Sequence, residues 1–263
     1  MHAPAPKLIP AELLLMAYRS GIFPMADSRD DEEIYWVEPR ERAVIPLGRF
    51  HVSHSLAKAI RQDRFRVTCN ADFGAVIAAC AEPRPGHPES WISERIAASY
   101  RALHLAGHAH SLECWHDGEL GAELVGGLYG VGFEHAFCGE SMFSRRTDAS
   151  KVALSWLVAL LRHADYRLLD CQFMTEHLAS LGAVPISRDR YLERLAEAVA
   201  AGPAPGLPEA YASLLGSAAS GVGVGSGIAA GAGAGASSSS SSSFAAGASS
   251  PGKLILQSLT QTS

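Results

Sequence analysis

The hydrophobic pattern is clearest between Phe137 and Gln172, where it predicts a strand, a basic turn, a helix and a second strand. Thr147 or Asp148 can cap the first turn of this helix. Apolar residues recur along it with the spacing of one helix face, at Val152, Leu154, Leu157, Val158, Leu160 and Leu161. A mainly buried helix between two short strands indicates a sheet that is covered by helices.

Polar residues lie at the ends of the two predicted strands. Glu140 ends the first strand, and Asp170 and Gln172 end the second. Alternate residues of a strand share a face, so the pattern predicts that Asp170 and Gln172 point the same way. A basic turn at residues 144–146 precedes the helix. These positions together predict polar chemistry beside an anion site.

The pattern divides the whole chain into three parts. Residues 1–50 combine a helix with short strands and form a small N-terminal α/β domain. Residues 51–200 alternate helices and strands, which predicts a mixed sheet with flanking helices and therefore an α+β fold. Residues 201–263 hold Ala-Gly repeats and a serine run, a composition that buries too little apolar surface to fold. We therefore expect a disordered Ala/Gly/Ser-rich tail there.

Composition narrows the class of protein. The chain has 263 residues, 48% of them hydrophobic, and a formal net charge of −5. This balance argues against nucleic-acid binding over the whole surface, although a local basic patch remains compatible with it. The five cysteines are isolated, which favours reduced thiols in the cytoplasm. There is no signal-peptide pattern, and no run reaches the roughly 18 apolar residues of a membrane span. We expect a cytoplasmic monomer without a membrane partner.

The sequence contains only fragments of metal-binding and phosphate-binding motifs. His104, His108 and His110 are closely spaced, but no cysteine or carboxylate cluster completes a metal site around them. No glycine-rich phosphate loop follows a strand. Gly126, Gly127 and Gly130 lie inside a strand pattern, where glycines mark a bulge or a close approach of substrate. The sequence therefore predicts neither a metal nor a cofactor.

Several segments of the chain resemble one enzyme family. They are residues 15–25 (LMAYRSGIFPM), 35–36 (YW), 110–113 (HSLE), 137–144 (FCGESMFS) and 169–172 (LDCQ). Over about residues 8–197 the chain is similar to the leucyl/phenylalanyl-tRNA–protein transferases. The resemblance implies a small N-terminal domain, residues 1–50, followed by a GNAT-type acyltransferase domain, residues 51–200. Family members usually carry an arginine where this chain has His54.

The resemblance also implies an activity. Such enzymes move Leu or Phe from aminoacyl-tRNA to the α-amino group of proteins that begin with Arg or Lys. The product is a substrate of the bacterial N-degron pathway of protein degradation. The partners expected for this chain are therefore Leu-tRNA or Phe-tRNA and acceptor proteins with N-terminal Arg or Lys.

The reaction is the aminolysis of an activated ester, which needs neither ATP nor a metal. The enzyme must orient the amine, help to remove its proton and stabilise the oxyanion. We expect Gln172 to accept a hydrogen bond from the amine and Asp170 to orient the Gln172 amide. The resemblance places the same pair at the centre. Glu140 is a candidate for binding the cation of the acceptor, with an ion pair to Arg145 or Arg146 as the alternative.

Substrate-binding residues follow from the same reasoning. Apolar candidates for the aminoacyl pocket, each of which is otherwise ordinary core, are Phe137, Met142, Leu157, Leu161 and Leu169. Aromatic candidates for stacking on the terminal adenosine are Trp36, Trp91 and Tyr100. Basic candidates for contacts with the tRNA backbone, each of which is otherwise a solvated side chain, are Arg40, Arg42, Arg49, Lys58, Arg61 and Arg64.

Two other functions fit the sequence less well. An acetyl-CoA-dependent N-acetyltransferase on the same fold needs a glycine-rich pyrophosphate loop, but residues 144–148 (SRRTD) occupy that place. A non-catalytic tRNA-binding module fits poorly with the negative net charge and with the Asp170–Gln172 pair. The sequence leaves open whether Gln172 or a ribose hydroxyl of the tRNA carries the proton, and whether Leu or Phe is preferred.

Overall fold

The computed structural model describes residues 7–83, 89–119, 121–219 and 250–260. Its helices are α1 (Ala11–Arg19), α2 (His54–Arg61), α3 (Phe73–Cys80), α4 (Glu94–Leu105), α5 (Ala149–His163), α6 (Glu176–Ala179), α7 (Arg188–Ala200), α8 (Leu207–Ala219) and α9 (Pro251–Thr260). Its strands are β1 (Phe23–Met25), β2 (Tyr35–Val37), β3 (Glu41–Val44), β4 (Arg66–Cys69), β5 (Ala109–Gly118), β6 (Gly121–Phe133), β7 (Ala136–Ser144), β8 (Leu168–Asp170) and β9 (Val184–Ser187). A single 3₁₀ turn, Leu47–Arg49, follows β3.

A seven-stranded mixed sheet forms the centre of the described structure. Its strand order is β4-β5-β6-β7-β8-β3-β9. Neighbouring strands are antiparallel except β7 and β8, which are parallel and are connected by α5. Helix α5 crosses from β7 to its parallel neighbour β8, and the predicted order of strand, helix and strand is confirmed. The predicted α+β fold with a mixed sheet and flanking helices is therefore confirmed.

The parallel pairing of β7 and β8 is short, and it ends where the polar residues lie. It joins Ala136 to Leu168 and ends at the Cys138–Asp170 pair, whereas β7 runs on to Ser144. On its other side β7 carries a bulge, since Tyr129 pairs with Ser141 but Gly130 with Gly139.

Glu140 is the extra residue of this bulge. A bulge leaves a residue outside the regular ladder and changes the direction of its side chain. Opposite it, a Cβ on Gly130 would lie 2.3 Å from the carbonyl oxygen of Cys138. The expectation that Gly130 marks a bulge is thus met. Gly126 instead allows α5 to pack closely on β6, since a Cβ on Gly126 would lie 2.5 Å from the Cβ of Ala149 in α5.

The sheet is covered on both faces. Helix α5 packs on one face together with α2, α8 and α9, and nearly all of its residues are buried, as expected from its broad apolar pattern. The other face carries α1, α3, α4 and α7, whose apolar side chains form a second core cluster. The bounds of α5 agree closely with the helix that periodicity predicted.

The N-terminal residues contribute to both sheets. Strands β1 and β2 form a separate two-stranded antiparallel sheet. Strand β3, although it precedes residue 50, lies in the main sheet between β8 and β9. A domain boundary at residue 50 stays a prediction. None of the described helices is both long enough and apolar enough to cross a membrane.

The predicted disordered tail is wrong for two segments of residues 201–263. Helices α8 and α9 pack against α5, and α9 also contacts α2. Their buried residues, spaced by helical turns, are Leu207, Ala210, Leu214, Ile255, Leu256 and Leu259. Averaging the composition over the whole segment hid these two short amphipathic stretches. The serine run of the predicted tail lies outside the described residues.

Candidate active site

A cavity of about 560 Å³ opens where β7 and β8 stop pairing. Its size lies in the range of small-molecule sites, roughly 300–1,000 Å³. The second half of β7, the end of β8 and the segment after it, and the first turns of α5 form most of its wall. Side chains from β6, α6 and the loops around Met25 and Trp91 complete it.

Gln172 lines this cavity, but not in the way that strand alternation predicted. Strand β8 ends at Asp170, and Gln172 has φ +63°, in the left-handed region. Its backbone N–H donates to Asp170 Oδ1 at 2.9 Å, and its carbonyl oxygen accepts from the N–H of Ala43 at 3.0 Å. A non-glycine residue in such a conformation costs about 1–3 kcal/mol and is typical of functional sites. The prediction that Asp170 and Gln172 share a face is therefore wrong.

The side-chain amide of Gln172 is oriented by Glu140. Gln172 Nε2 donates to Glu140 Oε1 at 2.9 Å. Because an ionised carboxylate only accepts hydrogen bonds, the amide nitrogen faces Glu140 and the carbonyl oxygen is left for another partner. We expected Asp170 to orient this amide, and that expectation is corrected here, since Asp170 binds the backbone of Gln172 instead.

Glu140 is a buried acid without a cationic partner among the described residues. Only 8% of it is exposed, and besides Gln172 it accepts a hydrogen bond from the Tyr100 hydroxyl at 3.2 Å. Burial raises the pKa of its carboxyl to about 7, and the hydrogen bonds from Tyr18, Gln172 and Tyr100 oppose this rise. The Tyr100 hydroxyl is also hydrogen-bonded to that of Tyr18.

The alternative role weighed for Glu140 is wrong. Arg145 pairs with Glu82 at 2.7 Å, and Arg146 pairs with Glu123 at 3.1 Å. Both arginines point to the surface, so Glu140 forms an ion pair with neither of them.

Asp170 is buried as well, but it has a cation. Arg42 forms an ion pair with it through two guanidinium nitrogens, of which Nε lies 3.2 Å from Oδ1. Tyr191 donates to Asp170 Oδ2 at 3.2 Å. The guanidinium also lies between the rings of Phe23 and Tyr191, with Cζ 4.9 and 4.3 Å from their centroids. Burial lowers the pKa of Arg42, but the electrostatic interactions with Asp170, Tyr191 and Cys138 together outweigh burial, so the net shift is upward.

Arg42 therefore does not fit the predicted contact with the tRNA backbone. Only 1% of it is exposed, because β3 inserts next to β8 and directs Arg42 at Asp170. The other basic candidates, Arg40, Arg49, Lys58, Arg61 and Arg64, are exposed. Arg64 lies 3.7 Å from Asp148 at the start of α5. A phosphate contact by any of these five stays a prediction.

The apolar candidates fall into two groups. Met142, Leu157 and Leu169 line the cavity as expected. Phe137 and Leu161 do not line it and are fully buried in the core beside α5, so the prediction is corrected for these two. Sequence reasoning missed other apolar lining residues, among them Leu128, Leu154 and Leu178. Leu154 lies three residues before Leu157 on the helix, which is a signal that helical spacing offered.

The aromatic candidates also differ in position. Trp91 is half-buried and lines the cavity. Tyr100 is 0% exposed, and its hydroxyl binds Tyr18 and Glu140, so it offers no face to a base and that prediction is corrected. Trp36 is 38% exposed on β2 and does not line the cavity. Phe173, which the sequence reasoning missed, is 46% exposed and lies at the cavity beside Gln172.

The three closely spaced histidines do not converge on one point. Nδ1 of His104 is hydrogen-bonded to the carbonyl of Ala109 at 2.8 Å, and Nδ1 of His110 to the Asn70 amide at 3.0 Å. Within the described residues, no group of three or more His, Cys, Asp or Glu side chains is placed to hold a metal ion.

Comparison with known proteins places this site in a family. Residues 44–196 match the model described as leucyl/phenylalanyl-tRNA protein transferase, and residues 9–40 match that of the N-terminal domain of the same family. The chain belongs to this family. The match of the main model contains Glu140, Asp170 and Gln172, and it begins within β3, the strand that carries Arg42.

Individual relatives with the same family name are similar to this chain over most of its length. A leucyl/phenylalanyl-tRNA–protein transferase of Novosphingobium aromaticivorans is 58% identical over 98% of this chain and 98% of its own. One from Zymomonas mobilis is 58% identical over 73% of this chain and 70% of its own. A third, from Maricaulis maris, is 59% identical over 72% of this chain and 86% of its own.

Proposed function

We propose that this chain transfers Leu or Phe from aminoacyl-tRNA to the α-amino group of proteins that begin with Arg or Lys. The amine attacks the ester carbonyl, the new amide forms, and the terminal ribose hydroxyl of the tRNA leaves. The family to which the chain belongs, and the names of its relatives, support the donor and the reaction. The acceptor preference and the role of the product as a degradation signal rest on the resemblance.

The observation that carries the proposal is the Gln172–Glu140 pair at the wall of the cavity. Glu140 holds the amide so that its carbonyl oxygen is available to an N–H of the attacking amine. Orienting a nucleophile near its target is a large part of what an aminolysis enzyme contributes. Asp170 acts as a positioning residue, because it holds the backbone of Gln172 in the left-handed turn.

Glu140 has a second task in this proposal. Its carboxylate has no cation among the described residues, and it lines the cavity. The ammonium or the N-terminal Arg or Lys side chain of the acceptor supplies that missing positive charge. A charge-assisted hydrogen bond of this kind is stronger than a neutral one.

The rest of the cavity suits the donor. Its apolar lining, which includes Leu128, Met142, Leu154, Leu157, Leu169 and Leu178, fits a Leu or Phe side chain. Trp91 and Phe173 offer aromatic faces to the terminal adenosine, since exposed bases stack on such rings. Stacking by Trp36 also belongs to the proposal, as a contact outside the cavity.

We also assign the catalytic part to the GNAT-type acyltransferases. The support is a parallel strand pair that is crossed by a helix, stops pairing early and has a bulge beside the site. The monomeric state and the cytoplasmic location stay predictions.

The acetyl-CoA alternative lacks support at the start of α5. The N–H of Ala149 donates to the carbonyl of Arg146 at 3.1 Å, and that of Ser150 to Ser144 Oγ at 3.3 Å. These two amides are therefore already satisfied by the chain itself. Pyrophosphate binding at a helix start uses free amides of this kind.

Transfer assays with matched substrates test the proposal. Labelled Leu-tRNA is offered with peptides that differ only in beginning with Arg, Lys or Ala, and acetyl-CoA is offered in parallel. We expect label on the Arg and Lys peptides only, and no acetyl transfer. Equal labelling of the Ala peptide would contradict the acceptor preference, and acetyl transfer without leucyl transfer would contradict the function.

A further inference from the structure

Tyr129 lines the active-site cavity and has a buried hydroxyl without a hydrogen-bond partner. Among the described residues, only two buried side-chain polar atoms lack a hydrogen-bond partner, Tyr129 Oη and His177 Nε2, and both residues line this cavity. Tyr129 is 0% exposed. Leaving a buried polar group unpaired costs free energy, so such groups are rare unless they serve a ligand.

The ring of Tyr129 is held by its neighbours. It packs edge-on against Tyr100, with centroids 5.6 Å apart, and against Phe73, with centroids 5.7 Å apart. On β6 it pairs with Ser141, at the bulge that displaces Glu140. These contacts oppose a rotation of the ring toward another partner, and two of the neighbours lie beside Glu140, since Tyr100 donates to it and Ser141 follows it on β7.

The polar end has acceptors but needs a donor. Glu140 supplies carboxylate oxygens, and Gln172 turns its N–H groups to Glu140, which leaves its carbonyl oxygen. In aminolysis the acyl oxygen becomes an anion, and it must be met by a hydrogen-bond donor. Burial, and then the charge of Glu140, raise the pKa of Tyr129, so its hydroxyl keeps its proton and can donate.

We propose that the Tyr129 hydroxyl donates a hydrogen bond to the acyl oxygen of the aminoacyl ester as that oxygen becomes the oxyanion. This inference rests on the proposed function. The amine nitrogen forms a bond to the acyl carbon, and the carbonyl π electrons move to the oxygen. When the carbonyl re-forms, the ester C–O bond breaks and the ribose hydroxyl leaves with a proton that the amine has lost. Tyr129 keeps its own proton throughout.

Tyr129→Phe tests this role with a minimal change. The hydroxyl makes no hydrogen bond in the free protein, so its removal should leave the melting temperature unchanged or higher. We expect kcat for leucyl transfer to fall by about 10²–10³-fold, the effect of removing one oxyanion donor. The KM values for charged tRNA and for the Arg-starting peptide should change little.

Tyr211→Phe is the matched control. The Tyr211 hydroxyl donates to the carbonyl oxygen of Val67 at 2.8 Å, and Tyr211 does not line the active-site cavity. Tyr211→Phe should lower the melting temperature and keep kcat, which is the opposite of what we expect for Tyr129→Phe.

A binding measurement keeps the test independent of turnover. A tetrahedral phosphonate analogue of leucyl-adenosine resembles the oxyanion, whereas its planar amide analogue does not. Tyr129→Phe should weaken binding of the phosphonate by at least tenfold and leave binding of the amide unchanged.

The possible results distinguish a failure of the Tyr129 inference from a failure of the proposed function. An active wild type with an equally active Tyr129→Phe would overturn the inference alone. A raised KM for the peptide with unchanged kcat would also overturn it, since Tyr129 would then contact the acceptor in the ground state. A wild type that transfers no Leu would overturn the proposed function, and the inference with it.

Discussion

Two buried carboxylates lie close together in this site, but their surroundings are opposite. Asp170, at the end of β8, is ion-paired with Arg42 and hydrogen-bonded to Tyr191. Glu140, at the bulge of β7, has only uncharged hydrogen-bond partners among the described residues, namely Gln172, Tyr100 and Tyr18. Both carboxylates are held by hydrogen bonds, but only one has its charge balanced.

The different surroundings of the two carboxylates indicate different roles, one structural and one in substrate binding or catalysis. A buried ion pair that is complete within the protein fixes β3, β8 and the Gln172 turn relative to one another. A buried acid with a raised pKa and no cation is typical of a binding or catalytic position. We therefore propose that Asp170 is a positioning residue and that Glu140 is the carboxylate available to a substrate.

Removing the cation of Asp170 should give the largest effect on stability. Arg42→Met leaves the Asp170 carboxylate buried and unpaired, which costs about 3–5 kcal/mol in comparable cases. We expect the free energy of unfolding to fall by that amount in urea titrations. The double variant Arg42→Met/Asp170→Leu removes both charges and should recover most of the loss. If the single variant were as stable as the double one, Asp170 would not depend on its cation.

Glu140→Gln should lower activity without lowering stability, which is the opposite of what we expect for Arg42→Met. It removes a charge but no ion pair, so we expect stability at pH 8 to be equal or higher. Losing a hydrogen bond between charged groups costs about 1.5–3 kcal/mol, which corresponds to a drop of about 10–10²-fold in kcat/KM for an Arg-starting peptide. Steady-state transfer assays and melting curves on the same samples measure both effects. Unchanged kinetics would exclude Glu140 from acceptor binding.

The pH dependence of stability should differ between wild type and Glu140→Gln. The pKa of Glu140 is raised from its ordinary 4.5 to about 7, so the folded state binds this proton more tightly than the unfolded state. The contribution of Glu140 to the free energy of unfolding is therefore greatest below pH 4.5, falls as the pH rises towards 7 and stays low above it.

Denaturant titrations from pH 4.5 to 8 check this prediction. The decline should be shallower in Glu140→Gln, because the variant lacks this titrating group. Parallel curves for the two proteins would mean that Glu140 titrates normally and that the contrast with Asp170 is not electrostatic.

The smallest effects should come from the arginines that Glu140 does not use. Arg145→Ala and Arg146→Ala each break an exposed ion pair, and such pairs contribute about 0–1 kcal/mol. We expect a change of that size in the free energy of unfolding and no change in its pH dependence between 4.5 and 7. If either variant altered the pH dependence, that arginine would be acting on Glu140 after all.

Local sequence patterns predicted the central helix and the mixed sheet correctly. The cap at Thr147 or Asp148 and the apolar spacing from Val152 to Leu161 predicted α5 (Ala149–His163), and the mixed sheet followed from the alternation of elements. The polar segments around Glu140 and Gln172 were recognised because each follows a short apolar run, although β7 continues past Glu140 to Ser144 and Glu140 does not end the strand as predicted.

The ion pairs, hydrogen bonds and backbone conformations of the site could not be predicted from local patterns. The Arg42–Asp170 pair joins residues 128 positions apart and depends on the insertion of β3 beside β8. The left-handed turn at Gln172 carries no glycine to mark it, and the bulge at Glu140 depends on the pairing with β6. All three features depend on tertiary contacts. Local patterns therefore indicated which residues are near Gln172, but they did not show that Glu140, and not Asp170, holds the Gln172 side-chain amide.

Gln172→Asn tests the central claim most directly. Asparagine tolerates the left-handed conformation that Gln172 adopts, but its side chain is one methylene shorter and cannot both contact Glu140 and reach the amine. The measurement is single-turnover transfer of labelled Leu from charged tRNA to an Arg-starting peptide. We predict a loss of about 10²-fold or more in the rate, with unchanged melting temperature and tRNA affinity. A rate equal to that of the wild type would contradict the role of the Glu140-held amide in the reaction.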